Sequence, residues 1–314
     1  MKILKKFDLV VVGGGISGIC ASLAAARHGL KTALIQNRPV LGGNASSEIK
    51  MHICGADYHA SKDNVRETGI VEELLLANKA VNCDNNFSVL DTVLWEKTRF
   101  QENLTLFLNT QLVSVNCVDN KIESIYCNQL TTQKDFCFKA PYFVDTTGDG
   151  VLGYLSGAKF MVGKEASETF NEDLAPKEYR NVTMGSSLMF KAKKLDHKVE
   201  FKKPFWANTY TEDDLIHRDH SNFDFGYWWI ELGGDKLNTI DDAEEIRDEL
   251  LKSVYGIWDH IKNGGDHGAD NYVLDWVGFL PGKRESRRFI GDYVLRQEDL
   301  IEGKIFEDAV AYGG

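Results

Sequence analysis

The sequence predicts an α/β fold: a parallel sheet with covering helices, an antiparallel β-meander attached to it, and an inserted mixed α+β domain. Three observations carry this. Residues 8–35 read strand, glycine turn, helix, strand. Residues 111–139 are rich in Val, Ile, Tyr and Phe, broken by the polar turns Asp119-Asn120 and Thr131–Asp135, the pattern of a meander. From about Lys164 the chain changes to β-prone runs, one long amphipathic helix and dense aromatics.

The first element, Asp8-Leu-Val-Val-Val12, is a short apolar run suited to a strand buried on both faces. Gly13, Gly15 and Gly18 follow at the spacing of a dinucleotide-binding turn. Gly13 takes the positive φ of the turn, Gly15 leaves no Cβ in the way of a pyrophosphate, and Gly18 lets helix and strand pack closely. Ile16 and Ser17 open a helix running to His28, whose N-terminus carries about half a positive charge toward the phosphates. Gly29 stops it, and Lys31–Ile35 is the second parallel strand. At its end, where an acid usually accepts from a ribose hydroxyl, stand Gln36, Asn37 and Arg38. A neutral acceptor is worth about 0.5–1.5 kcal/mol where a charged one gives about 1.5–3. A missing acid beside an arginine also suits a 2′-phosphate, so NADP stays open as an alternative at this point.

A loop, Leu41-Gly-Gly-Asn-Ala-Ser-Ser-Glu48, replaces the immediate second helix of a nicotinamide fold. Helices are predicted over Asp63–Ala80, with Gly69 as a junction, and over Ser88–Asn103, followed by a strand at Thr105–Leu108. After the meander, Pro141–Asp145 is the returning parallel strand, ending in Thr146-Thr-Gly-Asp-Gly150. Further on, Thr183–Phe190, Phe225–Leu232 and Tyr272–Leu280 read as strands and Ile240–Lys262 as a helix. Trp206, Trp228, Trp229 and Trp276 are open to two readings, packing in a core or stacking on a flat ligand.

Leu41–Glu48, Asp145–Gly150 and Gly282-Lys-Arg-Glu-Ser-Arg-Arg-Phe-Ile-Gly-Asp292 together resemble the FAD-dependent oxidoreductase family of the glutathione-reductase-like superfamily. That family is related to the flavoprotein component of heterodisulfide reductase and to the flavoprotein that modifies the tRNA wobble uridine. The resemblance implies an FAD-binding Rossmann-like domain of the glutathione-reductase type over residues 1–163, a substrate or cap domain over 164–283, and the start of a return to the FAD domain over 284–314. It implies FAD as the cofactor. The residues it assigns to FAD are Gly13, Gly15, Ile16, Ser17, Gly18, Gln36, Asn37, Arg38, Gly42, Gly43, Asn44, Ser46, Thr147, Gly148, Asp149, Gly291 and Asp292. Val113, with Val115, corresponds to the strand beside the adenine. Relatives close the flavin site with a further strand, glycine turn and helix that do not follow Arg296 here, so the chain is expected to be C-terminally truncated.

A net charge of −11 and the lack of a basic stripe interleaved with aromatics exclude nucleic acid as a partner, which disfavours the tRNA-modifying reading. No apolar run reaches the length of a membrane span. The six cysteines, at 20, 54, 83, 117, 127 and 137, lack the close spacings of zinc or iron–sulfur sites, and a reducing cytoplasm is expected. No metal is expected. His52 and Cys54, with His59 nearby, follow the Gly42-Gly43 loop and are the candidates for a proton donor or redox thiol; a purely structural role is the alternative. Arg284 and Arg287, with Lys283 and Arg288, form a dense basic cluster fit for an anionic group on substrate or FAD, or for a salt-bridged connector. The function expected is an FAD-dependent oxidoreductase moving a hydride between a small organic substrate and the flavin. The alternative is a flavoprotein relaying electrons to a redox partner protein in a larger complex.

Overall fold

A computed structural model describes residues 3–53, 67–220 and 228–309. The chain divides into two compact units, one of residues 1–47, 52–181 and 287–314, the other of 48–51 and 182–286.

The first unit opens with β1 (Ile3–Lys6), β2 (Leu9–Val12), α1 (Ile16–Arg27) and β3 (Thr32–Ile35). Then come α2 (Gly69–Val81), α3 (Phe87–Arg99), β4 (Leu104–Phe107) and the meander β5 (Thr110–Val118), β6 (Lys121–Gln129) and β7 (Lys134–Lys139). β8 (Tyr142–Asp145), α4 (Val151–Leu155), β9 (Phe160–Met161) and α5 (Ser167–Phe170) follow. The central sheet has the order β4-β3-β2-β8 and is parallel throughout. Alternate residues of its strands point to opposite faces. Val11 and Leu34 meet Ile19, Leu23 and Ala26 of α1, Leu74 of α2 and Leu94 of α3, whereas Val10, Val12, Ala33 and Ile35 pack with Phe107, Ile125, Phe136 and Phe138 on the meander side. Coverage of both faces is why β2 and β3 carry uninterrupted apolar runs.

Ile3–Lys6, to which no local pattern assigns an element, is a strand: β1 pairs in parallel with β7 and extends the meander to the order β1-β7-β6-β5. The helix expected to reach Asn103 ends at Arg99, and Asn103 takes a left-handed φ of 63° to turn into β4. Gly69 is the first residue of α2, with φ 64°.

The second unit holds β10 (Ser186–Lys194), β11 (Trp228–Leu232), α6 (Ala243–Asn263), β12 (Tyr272–Val277) and β13 (Gly282–Lys283). β10 is central and antiparallel to each of the other three strands. Ile246, Leu250, Val254, Trp258 and Ile261 line one face of α6 and pack on Leu188, Phe190 and Ile230 of this sheet. α6 starts three residues later than its apolar period suggests, because the Asn238 side chain accepts from the backbone N–H of Ile240 and Asp241 and holds them in a turn. The chain then rejoins the first unit through β14 (Arg288–Phe289), antiparallel to β9, and α7 (Gln297–Ile301). Among the described residues no helix is long and apolar enough to cross a membrane.

Candidate functional site

The β2–α1 turn is built from three glycines with different constraints. Gly13 has φ 109°, and a Cβ there would lie 2.2 Å from the Thr146 carbonyl oxygen. A Cβ on Gly18 would lie 1.9 Å from the Gly13 carbonyl oxygen. Gly15 is the N-cap of α1 with an ordinary φ of −67°, and a Cβ on it would meet nothing within 4 Å. No side chain caps the helix and no acid lies in its first turn, so the backbone N–H groups and partial positive charge of this end face outward. Gly13 and Gly18 therefore serve the fold, while Gly15 keeps clear a cradle that a side chain would fill.

Two further turns converge on this one. Gly42, in a left-handed conformation, forms a parallel bridge with Gly15 and donates to the Gly14 carbonyl at 2.8 Å. Gly43, Asn44 and Ala45 form a short 3-10 turn, and the Ser46 N–H closes it on the Gly43 carbonyl. A Cβ on Gly43 would touch Gly15 Cα at 3.2 Å, so a glycine at 43 lets the two backbones approach. On the other side, Thr146 Oγ1 donates to the carbonyls of Gly13 (2.7 Å) and Val12 (3.0 Å), holding the Thr147-Gly148-Asp149 turn against the first. Gly148 has φ 82° and open space at its Cβ position.

Asp145 organises that third turn and was missed in the sequence. Its Oδ1 accepts from the N–H and hydroxyl of Thr147, and its Oδ2 accepts from the N–H of Gly153 in α4. The signal was present as an Asp two residues before Thr147 and eight before Gly153, a side chain in position to cap the coming helix. β14 crosses the same place: a Cβ on Gly150 would lie 2.6 Å from the Phe289 ring. Gly291 and Asp292, both exposed, follow Phe289 by two and three residues.

Gln36 is 6% exposed and turned inward. Its Oε1 accepts from the Gly14 N–H at 2.9 Å and its Nε2 donates to the Val40 carbonyl at 3.2 Å. Both ends of the carboxamide thus tie the glycine turn to the loop after β3, and Asn37 is the exposed residue at the strand end. Val113 is also exposed, at the point where the β5–β6 register shifts by one residue.

His52 is exposed, and Cys54 and His59 lie outside the described residues. The arginines of the basic cluster have different partners. Arg284 pairs with Glu231 at 2.6 Å in the second unit. Arg287 belongs to the first, where it donates to the Asp149 carbonyl at 3.0 Å and its guanidinium lies 4.0 Å from the Tyr154 ring centroid. Arg288 pairs with Glu165. Burial, with the neighbouring Cys137, pushes the Cys127 thiol up to about 12, and burial raises that of Cys20, so both stay protonated and unreactive.

A family model described as FAD dependent oxidoreductase matches residues 8–314. The glycerol-3-phosphate dehydrogenase of Mycobacterium leprae (strain TN) is 39% identical over 71 residues, covering 23% of this chain and 12% of that protein. Glycerol-3-phosphate dehydrogenase 2 of Mycobacterium tuberculosis (strain CDC 1551 / Oshkosh) is similar to the same extent, so the chain spans about an eighth of the length of these curated relatives. Among solved structures, a geranylgeranyl bacteriochlorophyll reductase-like protein of Thermoplasma acidophilum superposes with a TM-score of 0.44 at 16% identity, covering 89% of this chain and 66% of that one. The p-nitrophenol 4-monooxygenase of Pseudomonas putida DLL-E4 gives 0.43 at 14% identity, covering 90% and 68%.

Proposed function

We propose, for a chain that belongs to the FAD dependent oxidoreductase family, that its β2–α1 turn and the two turns packed on it hold the FAD, and that the enzyme moves a hydride between a small organic substrate and the flavin. The observation that carries the reading is the open position at Gly15, at the uncapped end of α1 and flanked by Gly43 and by the turn bearing Gly148. When bound, FAD supplies a two-electron centre able to accept or release a hydride.

The protein's part is position and electrostatics. The α1 N-terminus and the N–H groups of Ile16 and Ser17 suit a pyrophosphate, with no acid in the first turn to oppose it. Gln36 acts indirectly, pinning the glycine turn to the loop that carries Gly42, Gly43, Asn44 and Ser46. Asn37 and Arg38, at the end of β3, stand where a ribose is bound, with Val113 beside the adenine. Thr147, Gly148 and Asp149, with Gly291 and Asp292, complete the ribityl side. His52 is the residue proposed to hold a proton for the substrate at its imidazole.

The test begins with the purified protein, denatured, and an absorbance spectrum of the supernatant. A flavin spectrum is expected; a nicotinamide spectrum would contradict the reading. Anaerobic mixing with a panel of small alcohols, amines and hydroxy acids should then bleach the flavin with at least one of them. His52→Ala should retain flavin and slow that bleaching by roughly 10²-fold or more. An unchanged rate would remove His52 from the mechanism.

A further inference from the structure

The second unit contains a cluster that the flavin chemistry does not use. Glu212, His220, His260 and His267 bring one ligand atom each to within 4.8 Å of one another. His260 lies in the last turn of α6 and His267 on the connection from α6 to β12, while Glu212 and His220 flank a 3-10 turn at Asp213–Leu215 between β10 and β11. Glu212 Oε2 lies 3.3 Å from His220 Nε2, and its Oε1 lies 3.5 Å from Nε2 of both His260 and His267. The three imidazole centroids are 4.8 to 5.2 Å apart.

Hydrogen bonding does not account for this arrangement. The Nε2 atoms of His260 and His267 are buried and make no hydrogen bond, and the His260 side chain is only 3% exposed. A buried ring nitrogen left unpaired costs about 1–3 kcal/mol. His220 Nδ1 lies 2.7 Å from the Arg218 carbonyl, which can only accept, so Nδ1 carries the proton. In the neutral ring its Nε2 then turns a lone pair toward the Glu212 carboxylate, acceptor against acceptor. Protonating all three rings would put three like charges about 5 Å apart in a half-buried pocket, so protons alone do not resolve the conflict.

We propose that these four residues bind one divalent transition-metal cation, Zn²⁺ foremost. Three neutral imidazoles and a carboxylate are its preferred donors, and four of them give the tetrahedral set of a structural site. Zn–N bonds of about 2.0–2.1 Å imply donor–donor edges near 3.3 Å, the separation already present between Glu212 and His220. The Arg218 carbonyl on His220 Nδ1 is the outer-shell partner that fixes the ligating tautomer. The C-terminal end of α6 favours a cation electrostatically. Lys262 Nζ donates to the carbonyls of Ala269, Asp270 and Tyr272, holding the connection that presents His267. Gly264 keeps clear the side of His260, since a Cβ there would lie 2.6 Å from its Nδ1.

The experiment strips the full protein with a chelator and titrates it with Zn²⁺ alone, then with Co²⁺ alone. About one equivalent should bind, with Co²⁺ giving visible bands of a tetrahedral site to the red of the flavin. Binding should weaken at least tenfold in Glu212→Gln, whose side chain is 64% exposed so that the fold tolerates the change, and in His267→Ala. His197→Ala, an exposed histidine outside the cluster, should bind as the wild type does. Failure of the stripped protein to bind either ion at micromolar concentration would overturn the proposal. So would binding that Glu212→Gln and His267→Ala leave unchanged.

Discussion

Gly15 and Gly18 stand three residues apart and are glycine for opposite reasons. At Gly18 a methyl group would run into the Gly13 carbonyl, so Gly18→Ala should cost about 3 kcal/mol of stability in a urea melt. At Gly15 a methyl meets nothing. The gain from a stiffer unfolded chain, about 0.4–1 kcal/mol, offsets the poorer N-cap, so Gly15→Ala should melt within about 1 kcal/mol of the wild type while its FAD affinity falls. Gln36 behaves less simply than its position in the sequence suggests. Gln36→Glu would set a carboxylate oxygen against the Val40 carbonyl, at a buried position now bridged by an amide N–H. A loss of about 1–3 kcal/mol at neutral pH is expected, recovering as the pH is lowered and the new carboxyl protonates. A variant as stable as the wild type at pH 7 would show that the amide does not hold the loop.

At the level of elements, what could be read from the sequence was what local patterns determine. The apolar run of β2, the glycine turn and the period of α1 are local. So is the Asp119-Asn120 hairpin, whose two residues adopt φ 50° and 59°, the conformation such turns require. β1 has no local signature because its four residues, two apolar and then two lysines, lack the alternation of a half-buried strand, and their partner β7 lies some 130 residues away. The roles of Gln36 and Asp145 depend on which backbone groups the tertiary fold brings beside them. The same holds for the Glu212 and histidine cluster, whose members come from separate segments. The α7 region gives a test that depends on pH. The Tyr293 hydroxyl, then the Arg296 N–H and the Lys304 ammonium, hold the Asp299 carboxyl down to about 2. A depressed carboxyl stabilises the fold above its unfolded value of about 3.9, and the contribution disappears as pH falls from there through about 2. The stability difference between the wild type and Asp299→Asn should therefore be level above pH 5 and close between pH 4 and 2. A difference independent of pH over that range would remove the ion pair from the account.

At the scale of the molecule, each of the two units has hydrophobic packing of its own. The first unit's sheet is packed on both faces and presents its turns at one end of the strands, and the second has its own core around Phe190 and Trp258. Trp258→Ala should cost about 3–5 kcal/mol, read as an earlier urea transition. Of the tryptophans open in the sequence between core and ligand stacking, Trp206 and Trp229 are 40% and 44% exposed, Trp206 packing edge-on against Tyr255, and Trp276 lies under the Lys50 ammonium at 3.9 Å. The central claim is that the space kept clear by Gly15 is the space of the FAD pyrophosphate. Its most direct test is a titration of FAD into flavin-free wild type and Gly15→Val, with thermal melts of both flavin-free proteins alongside. Equal melting is expected, with an affinity lower by at least about 100-fold, roughly 2.7 kcal/mol, in the variant. A Gly15→Val protein that melts with the wild type and binds FAD as tightly would contradict it.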